Sequence, residues 1–321
     1  VSLRVFVTGA TGFVGTHLLN LLESEGYEIQ GTSFPERPEF FPVAKGKKIF
    51  HLDLRKEEEV AFCLKMTKPE WVIHLAALSN VRHSWERRKE TLETNLMGTF
   101  NLFEALRKEA PKARILFVSS SDVYGLLAHD SRALKEEDSC EALSPYAFTK
   151  LSGEILSRFY SRVENMDIII VRSFPHTGPG QSNDFVCSDW AFQIARIERG
   201  EIEPIIRVGN CELRRDFSDV RDVVKAYLLL MKKGESGEIY NVCSGKGVLL
   251  KEILATLLSF SKKKIEVVVD WQKFRKADIP YLVGDCEKLK KRTSWRPEIP
   301  LSQTLYELLE FWRAKEGISQ I

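Results

Sequence analysis

The segment Thr8-Gly9-Ala10-Thr11-Gly12-Phe13-Val14-Gly15 constrains this chain more than any other. Before it, Leu3 to Thr8 reads as a short apolar strand. After it, Thr16 to Ser24 reads as a helix burying Leu18, Leu19, Leu21 and Leu22. Gly9 permits a tight turn, Gly12 lets the backbone approach a phosphate that any Cβ would crowd, and Gly15 lets the helix pack closely on the strand. The helix start then offers free N–H groups and the positive end of its dipole. Gly9, Thr11, Gly12, Phe13, Val14 and Gly15 are thus expected to hold a pyrophosphate. Glycines alone often mark only a turn, but strand, turn and helix in this order point to a dinucleotide.

The same rhythm continues for 172 residues. Strands are expected at 28–33, 48–52, 71–76, 114–119 and 167–172, with helices at about 56–66, 88–108 and 145–163. Near-continuous apolar strands joined by helices suit a buried parallel sheet, and right-handed crossovers make it doubly wound and Rossmann-like. Past Arg172 the rhythm breaks at a loop rich in Pro and Gly, and 215–242 reads as a return to the sheet. The expected division is a dinucleotide domain of 1–172 and 215–244, with a smaller discontinuous lobe of 173–214 and 245–321. That lobe should lie over the carboxyl ends of the strands, where such sheets bind ligands.

Bulk properties narrow the function. A net charge of +2 gives no special attraction to nucleic acid, and the Lys262–Lys264 and 288–292 basic runs read as solvated helix ends. No apolar run reaches the length of a membrane span, and with a strand opening the sequence no signal peptide is expected. Six scattered cysteines form no CxxC pair or zinc spacing, so free thiols in a reducing cytoplasm and no metal are expected. His74, within an apolar run, reads as a core imidazole.

The end of the second strand bears on the cofactor. An NAD site usually carries an acid there for the ribose 2′-hydroxyl. Here stand Gly31-Thr32-Ser33, followed by Arg37. Two hydroxyls and an arginine suit a 2′-phosphate, which favours NADP(H) and leaves NAD(H) open.

A second constellation supplies chemistry. Tyr146 and Lys150 stand four residues apart, on one helix face. A free phenol, with a pKa near ~10, is a poor acid–base group at neutral pH. The neighbouring ammonium is expected to favour the phenolate and bring it into range. Ser120 follows a strand and is placed to bind a carbonyl oxygen whose charge grows during hydride transfer. Asn95 lies on the long helix nearby.

Together, TGATGFVG at 8–15, Asp53-Leu54, Leu75-Ala76-Ala77, NLMGT at 95–99, SSSDVYG at 119–125 and SPYAFTK at 144–150 resemble the extended short-chain dehydrogenase/reductases. The second half resembles their nucleotide-sugar members, through His176 to Gln181, Arg214 to Asp222 and Tyr240 to Gly245. Within these the likeness is strongest to the GDP-sugar branch, which holds both 4-keto-6-deoxy-sugar reductases and GDP-mannose 4,6-dehydratases. The resemblance implies cofactor contacts at Asp53, Leu54, Leu75, Ala76, Ala77, Ser79 and Phe174, besides Tyr146 and Lys150. It implies catalysis by Ser120, Tyr146, Lys150 and Asn95. Substrate contacts are implied at Ser120, Asp122, Tyr146, Pro175, His176, Arg215 and Arg275. Relatives usually carry Asn at Pro175, which has neither side-chain donor nor N–H.

Two residues after the catalytic Ser or Thr, dehydratases carry a Glu; here stands Asp122, one methylene shorter. That favours a reductase over a dehydratase. A 4-epimerase and a non-catalytic redox sensor are the other readings, the sensor having no use for a proton donor.

Two apolar stripes bear on assembly. Leu92, Leu96, Phe100 and Phe103 recur on the first long helix, and Phe148, Leu151, Ile155 and Phe159 on the second. One sheet face cannot cover a helix all round. The relatives pair these helices across a two-fold axis as a four-helix bundle, so a homodimer is expected.

Overall fold

Successive residues of the central strands face opposite layers. Val5, Val7, Ile73, Leu116, Ile169 and Val171 enter one core, while Phe6, Val72, Ile115, Phe117, Ile168 and Ile170 enter the other. That is the strand period of two with both faces covered, which is why the strands read as unbroken apolar runs. The computed structural model describes residues 2–34, 48–130, 132–274 and 279–315.

The strands are β1 (Arg4–Thr8), β2 (Glu28–Ser33), β3 (Lys48–His51), β4 (Trp71–His74), β5 (Arg114–Ser120), β6 (Asp167–Ser173) and β7 (Ile239–Val242). They form one parallel sheet in the order β7-β6-β5-β4-β1-β2-β3. The order reverses between β1 and β4, so the crevice for a dinucleotide opens above their carboxyl ends. Helices α1 (Phe13–Ser24) and α6 (Val220–Lys233) cover one face, and α2 (Glu57–Thr67), α3 (Gly98–Glu109) and α4 (Pro145–Val163) the other.

The helix expected over 88–108 is not continuous. A short α-helix, Arg88–Leu92, passes into a π-helical turn, Glu93–Met97, before α3 begins. Such turns carry one extra residue and often mark functional positions.

The second lobe has its own core. It is built from α5 (Val186–Arg199), α7 (Leu250–Ser259) and α8 (Leu301–Ala314), with strand Ile205–Val208 paired parallel to Glu266–Val269. Leu282, Cys286, Leu289 and Trp295 pack in the sheet's core instead. The chain leaves the sheet through His176–Thr177, which pairs with the returning Ser218–Asp219. The Asp216 carboxylate fastens this junction, accepting from the N–H groups of Ser244, Gly245 and Gly284 at 2.8, 2.9 and 3.2 Å.

A buried ion pair braces the sheet close to Ser120. Arg172 of β6 meets Glu154 of α4 at 2.8 Å, and Ser119 of β5 donates to the same carboxylate at 2.6 Å. With every partner matched, such a network fixes α4 against both strands.

Candidate active site

The glycine turn is shaped for an anion. Gly9 has φ +68°, in the left-handed region, and a Cβ there would press on Ala76 at 3.0 Å. The Leu75-Ala76-Ala77 strand end therefore lies directly against the turn, and the Ala76 N–H donates to Thr8 Oγ1 at 3.2 Å. A Cβ on Gly15 would overlap Gly9 O and lie 2.6 Å from Ala10 O, so Gly15 packs on the turn itself rather than on the strand. At Gly12 an added Cβ would meet only Gly9 O, at 3.3 Å, leaving that side open. Helix α1 starts there with no side-chain cap and no acid in its first turn. Its first N–H groups are thus available to a pyrophosphate, and these residues fit a dinucleotide.

The hydroxyls expected to hold a 2′-phosphate do not face outward. Thr32 and Ser33 are buried. Thr32 Oγ1 accepts from the Gly9 N–H at 3.3 Å, and Ser33 Oγ is paired with His51 Nδ1 at 2.7 Å. They close the turn and the β2–β3 edge, and Arg37 lies outside the described residues. Asp53 is clamped by Arg55 through both carboxylate oxygens, at 2.7–3.0 Å. Burial pushes this carboxyl up, but the bonds and charge of Arg55 prevail and hold it below the usual range. Leu54 is fixed by its carbonyl, which accepts from Asn101 Nδ2 at 2.9 Å.

Ser120 ends β5, and Tyr146 and Lys150 occupy the first turns of α4; all three are buried. Helix α4 starts cleanly because Ser144 caps it, accepting from Ala147 N at 3.0 Å, with Pro145 next. The Ser120 hydroxyl lies near enough to the phenol to oppose the rise of its pKa. The Asp122 N–H donates to Ser120 Oγ at 3.2 Å.

The electrostatics differ from the sequence expectation. Burial raises the Tyr146 phenol well above its ordinary value; the Asp122 charge adds to this, and Ser120 opposes it. The ammonium of Lys150, its own pKa lowered by burial to about 8, does not reverse this. Its Nζ donates to the Val118 carbonyl at 2.8 Å. Desolvation thus outweighs the ammonium's field, and the phenol keeps its proton at neutral pH.

Asn95 serves as a clamp. The π turn points it inward, where Oδ1 accepts from Leu78 N at 2.7 Å and Nδ2 reaches Leu78 O at 3.2 Å and Thr149 Oγ1 at 3.1 Å. It ties the segment leading to Ser79 to the helix bearing Tyr146. Thr149 and Ser84, which accepts from Tyr146 N at 3.3 Å, escaped sequence reasoning. Thr149 had a signal, lying between Tyr146 and Lys150 on the same helix; Ser84 had none.

Other expected contacts divide. Phe174 is fully buried beside Tyr124, so its ring belongs to the core rather than to a cofactor surface. Its carbonyl holds His176 Nδ1 at 2.9 Å, and the His176 ring stacks on Phe13 of the glycine turn. His176 therefore faces the dinucleotide side of the crevice. Pro175 acts through its carbonyl, which accepts from Ser218 N at 3.0 Å and shapes the loop without a side-chain contact. Arg215 donates to the carbonyls of Ile279 and Arg214 at 2.6 and 2.9 Å, fastening the strand that follows 275–278. Arg275 lies outside the described residues. His74 is a core imidazole, bonded to Thr8 and Thr99 at 2.7 and 2.9 Å and lowered by burial to about 3. Among the described residues no cluster of His, Cys, Asp or Glu is arranged for a metal, and no helix is long and apolar enough to cross a membrane.

This chain is 35% identical to GDP-6-deoxy-D-mannose reductase of Pseudomonas aeruginosa, over 97% of its length and 98% of the relative's. The solved structure of RMD from Pseudomonas aeruginosa complexed with NADPH superposes with a TM-score of 0.85 at 33% identity, covering 98% and 99% of the two chains. UDP-glucose 4-epimerase of Thermus thermophilus in complex with NAD matches at 0.88 and 26% identity, over 97% and 99%. The family model described as GDP-mannose 4,6 dehydratase matches residues 6–308. A glycine turn at β1, a serine at the end of β5 and a tyrosine–lysine pair on α4, on a fold shared nearly end to end with these enzymes, make the chain a member of the GDP-mannose 4,6-dehydratase family of extended short-chain dehydrogenase/reductases.

Proposed function

We propose that this chain is a reductase of the 4-keto group of a GDP-4-keto-6-deoxy sugar, with NADP(H) as its cofactor. The observation that carries this reading is the end-to-end likeness to a GDP-6-deoxy-D-mannose reductase with Ser120, Tyr146 and Lys150 all in place. The glycine turn of Gly9, Gly12 and Gly15 would hold NADPH, which when bound would provide the hydride for C4. Ser120 binds the ketone oxygen, and the Tyr146 O–H delivers the proton that completes the hydroxyl. A phenol kept neutral by burial and by Asp122 suits that direction, since the reduction consumes a proton. Lys150 steadies the Val118 carbonyl beneath the site and can donate to a ribose hydroxyl.

A dehydratase would first oxidise C4 and would need a base at the start. The family name and the Asp122 carboxylate beside Tyr146 keep it as the second reading. Incubation with the GDP-4-keto-6-deoxy sugar and NADPH should yield a product two mass units heavier, with matching NADPH consumption. GDP-mannose with catalytic NADP⁺ should be unchanged. Loss of water from GDP-mannose would establish the dehydratase instead.

Six free cysteines fit a reducing cytoplasm. A homodimer accounts for the exposed apolar side chains of α4, Phe148, Ile155 and Phe159, and for Leu92 and Phe100 on the neighbouring helix run. Phe103, counted in that stripe, faces the sheet and is fully buried.

A further inference from the structure

With Thr32 and Ser33 turned inward, the end of β2 offers no outward polar side chain of its own among the described residues. The residue that occupies that place comes from the turn after the next strand. The chain leaves β2 at Phe34, and the guanidinium of Arg55 lies over the Phe34 ring, 5.6 Å from its centroid. Leu52 N–H donates to Ser33 O at 3.0 Å, which holds the start of the Asp53-Leu54-Arg55 segment against the end of β2.

Arg55 is oriented. Its Nε and Nη2 bond Asp53 at 2.7–3.0 Å, and its backbone N–H bonds the same carboxylate at 3.0 Å. This clamp uses one side of the fork. Among the described residues nothing bonds Nη1 or the second Nη2 hydrogen, the side chain remains one-third exposed, and it borders a cleft of about 440 Å³. The acids of that cleft pair along their own helical run, Glu86 with Arg82, Glu90 with Arg87 and Glu93 with Lys89, while the charges of Glu90 and Glu93 also reach Arg55 and help hold its guanidinium charged. A planar fork pre-set by a carboxylate, on an aromatic platform, suits a phosphate dianion better than a hydroxyl. In this fold the ribose 2′ position comes to the end of β2.

We propose that Arg55, oriented by Asp53 and supported by Phe34, is the residue that reads the cofactor's 2′-phosphate and sets the preference for NADP(H) over NAD(H). This rests on the NADP(H) reading given above. Asp53 is then a positioning residue, acting through Arg55.

The test is calorimetric binding of 2′,5′-ADP and of 5′-AMP, two probes that differ only in the 2′-phosphate. The wild-type chain should bind 2′,5′-ADP at least tenfold more tightly. Arg55→Gln keeps the stem over Phe34 and removes the charge; it should reduce that ratio about tenfold or more while leaving the 5′-AMP affinity unchanged. Asp53→Asn should reduce it less, and Arg37→Ala should leave most of it. If Arg55→Gln fails to fold, Arg55→Lys decides: loss of the two-pronged contact should still cut the ratio severalfold. An unaltered ratio in the Arg55 variant, with collapse in Arg37→Ala, would overturn the assignment and leave the NADP(H) reading standing. A wild-type ratio near one would overturn the NADP(H) reading itself.

Discussion

Lys150 stands 5.9 Å from the centre of the Tyr146 ring, yet its ammonium donates to the Val118 carbonyl, on the strand below. The pair is therefore not a simple phenolate–ammonium couple. Tyr146 holds its proton because it is buried, and Lys150 pins β5 while keeping further donors for a ligand.

Tyr146→Phe separates proton transfer from packing, since the ring remains. Turnover of the keto sugar with NADPH should fall by about 10²–10⁴, the usual contribution of a positioned acid. Cofactor affinity, followed by nicotinamide fluorescence, should stay within a few-fold. Near-normal turnover would refute the assignment of the proton donor.

Lys150 also sets a pH dependence of stability. Its folded-state value of about 8 lies below that of an unfolded lysine. Below pH 8 both states carry the proton, and the folded state bears the cost of the buried charge. Between about 8 and ~10.4 the folded state releases it first, so stability rises with pH, by about 2 kcal/mol from pH 7 to 9.5. Lys150→Met should lack that rise. Urea midpoints of the cofactor-free protein at the two pH values should converge on those of the variant as pH increases; parallel curves would count against the buried ammonium.

Gly12 and Gly15 should respond differently to one methyl group. At Gly15 an alanine would collide with the turn's own carbonyls, so Gly15→Ala should cost about 1–3 kcal/mol of stability. At Gly12 the nearest atom is 3.3 Å away and the fold should tolerate alanine. Gly12→Ala should instead weaken NADPH binding tenfold or more with little change in melting temperature. Equal destabilisation by both would contradict the open side of the turn.

Ile155 is 64% exposed at the centre of the outer face of α4, between Phe148 and Phe159. Ile155→Glu should shift the protein from dimer to a species near the single-chain mass of 36.8 kDa in sedimentation at micromolar concentration. A wild-type chain that sediments only at that mass would remove the dimer.

Much of this was legible in the sequence because local chemistry dictated it. The strand–turn–helix at 4–24, the parallel order of apolar strands and the capped helix bearing Tyr146 and Lys150 all follow from short-range patterns. His74 read correctly as a core residue because the residues flanking it in sequence, Val72, Ile73, Leu75 and Ala76, are all apolar. What escaped depends on direction rather than identity. Thr32 and Ser33 are the expected residues in the expected place, but tertiary partners Gly9 and His51 turn their hydroxyls inward. Phe174 has the right position for a cofactor contact, and Tyr124 and Gly284 hold its ring in the core. The Tyr146 phenol runs opposite to its expected shift because sequence spacing reveals a nearby charge but not the extent of desolvation.

The π turn at 93–97 has a geometric consequence of its own. In an unbroken α-helix Leu92 and Phe100, eight residues apart, would differ in direction by roughly 80°. Five residues of wider turn, at roughly 80° each instead of 100°, take back about 100° and leave the two within roughly 20° of each other. One inserted residue thus does two things: it swings Asn95 toward Leu78 and Thr149, and it brings Leu92 and Phe100 into line on the outer face. Deleting a single residue from this turn should undo both at once. Order around Tyr146 and the alignment of the exposed Leu92 and Phe100 would be lost together, although they lie on opposite sides of the helix.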